Sequence, residues 1–420
     1  MNISRRFFLQ SSGALALYCG VSPGNLLGAL PPAKVTRGKT LVVIFLRGGM
    51  DGLNFLVPYG DPGYADLRKR IGIKPPGGEN GALDIDGFFG LHPKAAALLP
   101  FFKAGTARGL HAVGYAHNTR SHFEEQDVWE TGVIGNTVNS DGWLNRHLLT
   151  STGVGPIRAV CIGDNLPRIL RGKAPAFALE GIADLSFPSS NGSDDASISA
   201  ALEHAYCVEP RQEMDAAQNL LAETARTTLD GMRQIQQATA GEYRPGSEYP
   251  ASTIGRRLSE AARLIKSNLG VEVVEIDYGG WDTHQNQGGV DGQFGNLVEG
   301  LSEAVAAFVK DMGDGMNDTL LLTISDFGRT AAENGTSGTD HGWANCMLAL
   351  GGNLGGEKTK SGPILTQWPG LTREQLHQGR DLLHTTDFRD VLGEVVASHL
   401  GNSRLKTVLP GHVFKPVGLV

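Results

Sequence analysis

The stretch "TLLLTISDFGRT" (Thr319–Thr330) decides the fold class of this sequence. Its first seven residues form an apolar run without regular polar alternation, which is typical of a β-strand buried on both faces of a parallel sheet. The run stops abruptly at Ser-Asp-Phe-Gly-Arg. A buried strand that ends in a carboxylate, a glycine and a cation predicts a functional site at this end of the strand.

Similar runs recur along the chain, separated by helical patterns. They are Thr40–Leu46, Gly109–Tyr115, Ile157–Gly163 and Val271–Asp277, with a further core strand around Cys346. Residues Asn296–Met312 place six apolar side chains on one stripe at helical spacing: Leu297, Leu301, Val305, Phe308, Val309 and Met312. A strand, a helix and a second strand form a crossover between parallel strands. The sequence therefore predicts an α/β fold with a mainly parallel central sheet and helices on both faces.

The composition narrows the class of protein. The 420 residues carry a net charge of −7, and no dense lysine or arginine stripe occurs, which argues against a nucleic-acid partner. Apolar residues make up 40% of the chain and charged residues 19%, as in globular proteins. No apolar run beyond the N-terminal region approaches the roughly 20 residues that a membrane span needs. We therefore do not expect an integral membrane protein.

The N-terminal residues have the pattern of an export signal. Arg5 and Arg6 stand in the setting Ser-Arg-Arg-x-Phe-Leu-Gln, a modestly apolar stretch follows, and small residues occur near Ala29 and Ala33. This pattern predicts a twin-arginine signal peptide over residues 1–33. Because this route exports folded proteins, we expect a periplasmic or extracellular protein, and a bound metal becomes more plausible.

The remaining chain is predicted to form one α/β domain over residues 39–420. Residues 186–269 are expected to form a helical insertion or cap, which opens with a polar, turn-rich loop over 186–198. A closing helix with a threonine or aspartate N-cap is predicted within residues 385–401. The cysteines that follow the signal, Cys161, Cys207 and Cys346, lack metal-ligand spacing, so we expect them to be structural.

Polar side chains follow the predicted strands, where an open parallel sheet binds its ligands. The candidates are Asp51, Thr119, Arg120, Ser121, His122, Asp282, His284, Asp326, Arg329, Asp340 and His341. Aspartate and histidine without cysteine form a donor set for Zn²⁺, Mn²⁺ or Mg²⁺. Converging carboxylates would also repel one another unless a cation were present. The sequence therefore predicts a site for one or two divalent metal ions.

Other histidines and two tryptophans are given structural roles. The histidines are His92, His111, His147, His204, His377, His384, His399 and His412, which have no partner at ligand spacing. His117, two residues before Thr119, is kept as a reserve ligand. Trp281 and Trp343 flank the ligand loops, and core packing or a sugar-stacking platform are the two alternatives for them.

The stretches "LRGGMDGLN", "RSHF", "GGWDTH" and "SDFGR", with a later "DHG", resemble an uncharacterised, twin-arginine-exported bacterial family (a domain of unknown function) within the alkaline phosphatase-like/sulfatase superfamily. The resemblance implies an alkaline phosphatase-like fold and a role for each matching position. Asp51 would bind one metal ion, Asp282 and His284 the other, and Asp326 and His341, with Asp340 beside it, would complete the ligands. Ser121 would be both the nucleophile and a metal ligand, with Thr119 in reserve.

Two departures from the superfamily pattern affect this expectation. The spacing is Asp-x-His at Asp282, where the superfamily usually has Asp-x-x-x-His, and Phe327 stands where a metal-binding histidine is expected. His122 is predicted to substitute for that histidine. Arg120 and Arg329 would clamp the non-reacting oxygens of an anionic substrate, or alternatively form surface ion pairs.

The expected function is that of an exported, metal-dependent hydrolase acting on a phosphate or sulfate ester, carried by a polysaccharide or lipid. The alternative is a catalytically degenerate binding or assembly protein of the cell envelope. A third alternative is a one-metal enzyme with different chemistry.

Overall fold

A nine-stranded, mainly parallel sheet forms the centre of the fold. The computed structural model describes residues 38–135, 140–153, 155–185, 204, 216–352, 354 and 362–420. The strands of the described chain are β1 (Thr40–Leu46), β2 (Leu56–Val57), β3 (Leu83–Asp84), β4 (Gly90–Leu91), β5 (Ala107–Gly114), β6 (Ala159–Ile162), β7 (Phe177–Leu179), β8 (Val273–Tyr278), β9 (Thr319–Ser325), β10 (Asn345–Gly351), β11 (Ile364–Leu365) and β12 (Thr386–Asp387).

The strand order in the large sheet is β11-β5-β10-β9-β1-β8-β6-β7, with β12 beside β5. Every neighbouring pair is parallel except those of β10, which runs antiparallel to β5 and β9. The start of β10 therefore lies at the same edge as the carboxyl ends of the parallel strands. Strands β2, β4 and β3 form a separate small antiparallel sheet. The predicted α/β class with a mainly parallel sheet is confirmed.

The limits of the predicted strands agree closely with the structure. Thr40–Leu46 and Thr319–Ser325 are strands β1 and β9 to the residue. The limits of the other predicted strands differ by one or two residues, at β5, β6 and β8. The predicted core strand around Cys346 is β10, although the apolar pattern did not show that it runs antiparallel.

The α-helices of the described residues vary from one turn to several. They are α1 (Gly52–Phe55), α2 (Pro62–Leu67), α3 (Leu99–Lys103), α4 (His122–Thr131), α5 (Trp143–Thr150), α6 (Ala216–Ala238), α7 (Thr253–Lys266), α8 (Gln293–Met312), α9 (Phe388–Glu394) and α10 (Leu405–Val408). Short 3₁₀ segments span Pro93–Leu98, Arg168–Leu170, Ile182–Leu185 and Gly313–Asn317, and a π-helical turn, Val395–His399, follows α9.

Helices cover both faces of the sheet. Alternate residues of β1 enter different apolar clusters, because side chains along a strand point to opposite faces. Val42 and Ile44 pack in the cluster that contains residues of α7 and α8. Leu41 and Val43 pack in the cluster that contains residues of α4, α5 and α9. This arrangement explains why the strand sequences lack polar alternation.

Helix α8 includes the predicted helix and begins three residues earlier. On the predicted stripe, Leu301, Val305, Phe308 and Met312 are buried against the sheet. The predicted closing helix is α9, whose N-cap Asp387 accepts a hydrogen bond from the backbone N–H of Arg389.

Several sequence predictions concern residues outside the described part. These are the signal peptide over 1–33, the loop over 186–198 and Cys207. Within the predicted insertion, α6 and α7 contribute Ile235 and Leu258 to the same apolar cluster as the sheet. The limits of the insertion, 186–269, stay a prediction. Cys161 and Cys346 are buried and free.

Within the described ranges, no helix combines the length and the apolar composition that crossing a lipid bilayer would require.

Candidate metal centre

Chemically active side chains from four parts of the fold meet at the carboxyl edge of the sheet. Asp282 and His284 follow β8, and Asp326 follows β9. His341 precedes the antiparallel strand β10, and His122 is the first residue of α4, which follows β5. Since β5, β10, β9, β1 and β8 are consecutive in the sheet, residues distant in the sequence become neighbours at this edge.

Three imidazole rings place their Nε2 atoms close to one carboxylate oxygen, and the ring of His341 contacts the other two. The Nε2 atom of His341 lies 3.1 Å from that of His122 and 2.9 Å from that of His284. The Oδ1 atom of Asp282 lies 3.6 Å from Nε2 of His122, 3.3 Å from Nε2 of His341 and 3.0 Å from Nε2 of His284. Donor atoms of His122, His341 and Asp282 thus form one group, and Nε2 of His284 lies beside the last two.

The other ring nitrogen of each histidine, Nδ1, has a hydrogen-bond acceptor. The acceptors are Asp326 for His122 (2.6 Å), Asp340 for His284 (2.9 Å) and the backbone carbonyl of Arg120 for His341 (2.8 Å). Carbonyl and carboxylate oxygens accept protons, so each Nδ1 atom carries the hydrogen. In the neutral rings, the Nε2 atoms then present lone pairs to one another. Only a proton or a metal cation between them makes such close contacts favourable.

This donor set fits a zinc ion. Zinc binds imidazole nitrogen at about 2.0–2.1 Å in tetrahedral geometry, which places neighbouring ligand atoms about 3.3 Å apart. The separations among His122, His341 and Asp282 are 3.1, 3.3 and 3.6 Å. Hydrogen bonds from ligand histidines to carboxylates and carbonyls are also the usual second contact of zinc-binding imidazoles. The described residues thus contain a possible histidine and aspartate metal site.

Arg329 fixes the loops that carry these ligands. Its guanidinium is fully buried and donates to Oδ1 of Asp282 at 2.7 Å. Its remaining hydrogen bonds go to backbone carbonyls of the surrounding loops, at Gly48, Gly49, Trp281 and Thr339. The sequence predicted a clamp for substrate oxygens at this position. In the structure, the guanidinium of Arg329 is buried, and its hydrogen bonds go to backbone carbonyls and to Asp282.

A glycine pair after β1 allows the ligand loops to approach closely. Gly48 has a φ of +115°, which favours glycine, and a Cβ atom there would lie 2.6 Å from the backbone nitrogen of Asp282. The backbone N–H of Gly48 also donates to Oδ1 of Asp326 at 3.2 Å. The "RGGMDG" turn therefore positions the loops around Asp282 and Asp326.

The surroundings shift the pKa values of the cluster. Burial alone would raise the pKa of Asp326, but hydrogen bonds from His122 and Gln126 outweigh it and lower that pKa. The pKa of Asp282 is lowered in the same way, since Arg329 outweighs the effect of burial. The hydrogen bond to Asp326 raises the pKa of His122, whereas burial lowers that of His341.

Asp326 and Asp340, both predicted metal ligands, contact histidine Nδ1 atoms. Asp326 is fully buried and also accepts from Gln126 at 2.9 Å. Asp340 is half exposed, and it accepts from Asn334 at 3.2 Å in addition to His284. The hydrogen bond from His284 lowers the pKa of Asp340. Both carboxylates therefore orient imidazole rings.

Asp51 is paired with a cation of the protein itself. Its Oδ2 atom accepts from Arg68 at 2.5 Å and from Gln287 at 2.6 Å, and the side chains of both Asp51 and Arg68 are fully buried. Arg68 also donates to the backbone carbonyls of Thr330 and Ala331. The carboxylate predicted to hold one metal ion is thus neutralised by a guanidinium.

Phe327, the departure noted in the sequence, packs against two of the histidines. Its ring centroid lies 4.7 Å from that of His122 and 4.8 Å from that of His341. The side chain is buried and supplies an apolar contact beneath the cluster. His122, which was predicted to substitute for the missing histidine, lies within the cluster.

The two predicted nucleophiles have different hydrogen-bond partners. Ser121 is the N-cap residue of α4, yet its side chain makes no capping hydrogen bond, so capping does not occupy its hydroxyl. The hydroxyl of Thr119 donates to Glu125 at 2.9 Å and accepts from the backbone N–H of Ser121 at 3.3 Å. Arg120, between them, binds Asp381 and Gln378.

Most other histidines have structural environments. Burial lowers the pKa of His92 and of His111 to about 4, and both rings bind backbone groups. His117 is exposed. Trp281 and Trp343 are 0% and 6% exposed, which fits core packing and leaves little ring surface for a sugar.

Several residues around the centre were not predicted from the sequence. Gln126, which binds Asp326, lies four residues after His122 on α4, so helical spacing could have revealed it. Arg68, Gln287 and Asp381 are joined to their partners only by the tertiary fold. No local pattern marks these residues.

The fold and the site define an α/β protein whose sheet edge carries a candidate histidine and aspartate metal centre. The sequence profile that matches residues 115–414 is described as "Protein of unknown function (DUF1501)". The match spans most of the chain, and the chain belongs to this family. No sequence among the curated proteins matches.

Three solved structures show distant similarity. The C-terminal periplasmic domain of EcEptC from Escherichia coli, in complex with Zn, is 10% identical, with a TM-score of 0.36 and coverage of 77% of each chain. The PsFucS1 sulfatase from Pseudoalteromonas sp. is 12% identical, with a TM-score of 0.34 over 78% of this chain and 64% of the sulfatase. The PH0037 protein from Pyrococcus horikoshii is 14% identical, with a TM-score of 0.23 over 78% of this chain and 91% of its own.

Proposed function

We propose that the chain binds one divalent metal ion, zinc, and hydrolyses a phosphate or sulfate ester. The observation that carries this proposal is the convergence of His122, His341 and Asp282, with His284 beside the last two and the Nδ1 atom of each histidine already bonded to an acceptor. Three imidazoles favour zinc over magnesium, which prefers oxygen ligands. His122, His284, His341 and Asp282 would hold the ion.

Ser121 is the proposed nucleophile. It precedes the ligand His122, and its hydroxyl is not used as a helix cap, whereas the hydroxyl of Thr119 is committed to Glu125. When bound, the ion would polarise the ester and make its phosphorus or sulfur easier to attack. Oγ of Ser121 would form a bond to phosphorus or sulfur as the bond to the alcohol oxygen breaks. The alcohol leaves with the serine proton, and water then cleaves the seryl ester.

The exposure of the site supports a substrate carried on a larger molecule. The side chains of the four proposed ligands are between 23% and 46% exposed, so an ester group on a polysaccharide or lipid can reach them without entering a deep cleft. An export route through the twin-arginine signal, and a periplasmic or extracellular location, are part of this proposal and rest on Arg5 and Arg6.

Metal content tests the centre directly. Elemental mass spectrometry of the purified protein is expected to find about one zinc ion per chain. The variant His341→Ala should lose it, whereas His117→Ala, which removes an exposed histidine near α4, should retain it. A folded protein without bound metal, or equal metal content in the two variants, contradicts the proposed centre.

Ester hydrolysis is then tested with phosphate and sulfate monoesters. Ser121→Ala should abolish turnover and leave the metal content unchanged, because Ser121 is not among the proposed ligands. Turnover that survives in this variant would contradict the assigned nucleophile.

The second candidate is a metal-binding protein of the cell envelope that no longer hydrolyses esters. The environment of Arg329 favours it, since this guanidinium is fully buried and its hydrogen bonds go to protein groups. Retention of one zinc ion without turnover on any ester, in wild type and Ser121→Ala alike, would select this candidate.

A further inference from the structure

A buried carboxylate outside the predicted set lies next to the metal centre. The side chain of Asp381 is fully buried. Its Oδ2 atom accepts from Nε and Nη2 of Arg120, at 2.9 and 2.6 Å, and from Nη1 of Arg380 at 3.4 Å. Its Oδ1 atom is buried without a hydrogen-bond partner. Because a buried carboxylate needs polar partners, the two guanidinium groups are what satisfy its Oδ2 atom there.

Both arginines also contact the ligand His341. The backbone carbonyl of Arg120 accepts the Nδ1–H of His341 at 2.8 Å. The Nη2 group of Arg380 donates to the backbone carbonyl of His341 at 2.9 Å. One carboxylate, that of Asp381, thus holds the two groups that orient the ring and the backbone of His341.

The backbone of Arg120 needs such an anchor. Its φ of +61° lies in the left-handed region, which is unfavourable for a residue with a side chain. The direction of its carbonyl depends on this conformation. Asp381 accepts a hydrogen bond from the guanidinium of Arg120, which also lies 5.2 Å from the ring centroid of Trp343. Asn118 accepts the hydrogen bond from the backbone N–H of Arg120 at 2.7 Å.

His341 differs from the other two histidines in this respect. The Nδ1 atoms of His122 and His284 bond directly to carboxylates, which attract the ring N–H from a range of directions. A neutral carbonyl is a weaker acceptor, and the backbone conformation determines where it points. Of these three histidines, His341 is therefore the one whose orientation depends on a side chain, that of Asp381, with which it has no direct contact.

We propose that Asp381 is a positioning residue which, through Arg120 and Arg380, fixes the tautomer and orientation of His341 and thereby sets the metal affinity of the centre. The proposal rests on the metal centre described under the proposed function. It adds a residue that lies 40 positions from His341 in sequence and makes no direct contact with the proposed ligand atoms.

Cobalt binding by the full chain tests the role of Asp381. CoCl₂ is titrated into metal-free wild type and Asp381→Asn, and both the affinity and the visible d–d absorption of bound Co²⁺ are recorded. Asp381→Asn should bind Co²⁺ about 10–100-fold more weakly, with an altered spectrum, as expected when a group behind a metal ligand is lost. Asp381→Glu, which keeps the charge, should recover part of the affinity.

A matched control separates positioning from general stability. Asp390→Asn also alters a largely buried carboxylate, which is bonded to His412 at 2.7 Å. This variant should lose stability without a change in the Co²⁺ spectrum or affinity. All titrations are done well below the unfolding temperature, which is measured for each variant in the metal-free form.

The outcomes separate the two proposals. Wild-type protein that binds no Co²⁺ refutes the metal centre and this inference with it. Binding by wild type and Asp381→Asn with the same affinity and spectrum overturns the inference alone. If Asp381→Asn does not fold, Arg380→Gln decides, since Arg380 is 43% exposed. Its Co²⁺ affinity should fall several-fold, and an unchanged affinity overturns the inference.

Discussion

The two carboxylates that orient His122 and His284 are expected to contribute unequally to zinc affinity. Asp326→Asn removes the charge behind His122, and Asp340→Asn removes the charge behind His284. The hydrogen bonds are of similar length, 2.6 and 2.9 Å. The surroundings differ, because the Asp326 side chain is fully buried and that of Asp340 is 52% exposed.

The expected magnitudes follow from this difference in exposure. A buried hydrogen bond to a charged group contributes about 1.5–3 kcal/mol, against about 1 kcal/mol for a neutral one. Replacing the charge at Asp326 should therefore cost about 1–2 kcal/mol, or roughly 5–30-fold in zinc affinity. Exposed ion pairs contribute about 0.2–1 kcal/mol, so Asp340→Asn should weaken zinc binding by about fivefold at most.

Zinc affinity is measured by competition with a chelator for wild type and both variants, together with the thermal stability of each metal-free protein. A shift of the Nδ1–H proton resonance of His122 in Asp326→Asn would show that the ring environment has changed. Equal losses in the two variants, or a larger loss in Asp340→Asn, would refute the argument from burial. A loss of more than about a thousandfold in Asp326→Asn alone would instead show that Asp326 is itself a ligand, as the superfamily resemblance implies.

Three further substitutions test other parts of the structure. Glu275 is buried with both carboxylate oxygens unpaired, and burial holds its pKa well above the ordinary 4.5. Above about pH 4.5, the unfolded chain releases the proton of Glu275, whereas the folded state keeps it. The stability that Glu275 contributes is therefore fully present below about pH 4.5 and is lost as pH rises through the raised pKa of the folded state. Denaturant unfolding between pH 5 and 8 should show Glu275→Gln gaining stability relative to wild type as pH rises, and parallel curves would contradict this. Glu394 accepts four backbone N–H groups of residues 417–420, at 2.5–3.0 Å, so Glu394→Gln turns two of these contacts into donor-to-donor contacts. The free energy of unfolding should fall by about 3–5 kcal/mol, and a loss below 1 kcal/mol would be inconsistent with this clamp. Gly48→Ala places a Cβ atom 2.6 Å from the backbone nitrogen of Asp282, so zinc affinity measured by chelator competition should fall more than tenfold, and unchanged affinity would contradict the tight packing of this turn.

Apolar patterning predicts the sheet because its signal is local. Thr40–Leu46 and Thr319–Ser325 are buried on both faces, and their sequences show this directly. The direction of β10 has no local signal, since an apolar run is equally compatible with parallel and antiparallel pairing. That direction places His341, just before the strand, beside residues that follow the parallel strands.

The sequence identifies the chemical groups of the site better than their roles. Aspartates and histidines after strands were expected to converge, and His122, Asp282 and His341 do. Whether an aspartate faces a metal ion or the back of an imidazole depends on side-chain geometry of a few ångströms, which spacing does not encode. Asp326 is an example, since its position after β9 suits either role. Asp381 could not be found at all, because it acts through two arginines.

We expect the number of bound ions to depend on where the protein places its own cations. A second divalent ion would need Asp51, the carboxylate that the superfamily resemblance assigns to one metal position. The guanidinium of Arg68 is bonded to Asp51 within a fully buried pair and is held by the carbonyls of Thr330 and Ala331, so it cannot move aside without leaving several acceptors unpaired. Phe327 offers no lone pair at the position where a further histidine was expected. A fixed positive charge at one position and an apolar ring at the other both oppose a second ion, whereas His122, His341 and Asp282 offer donor atoms to a first. We therefore expect a stoichiometry of one ion per chain.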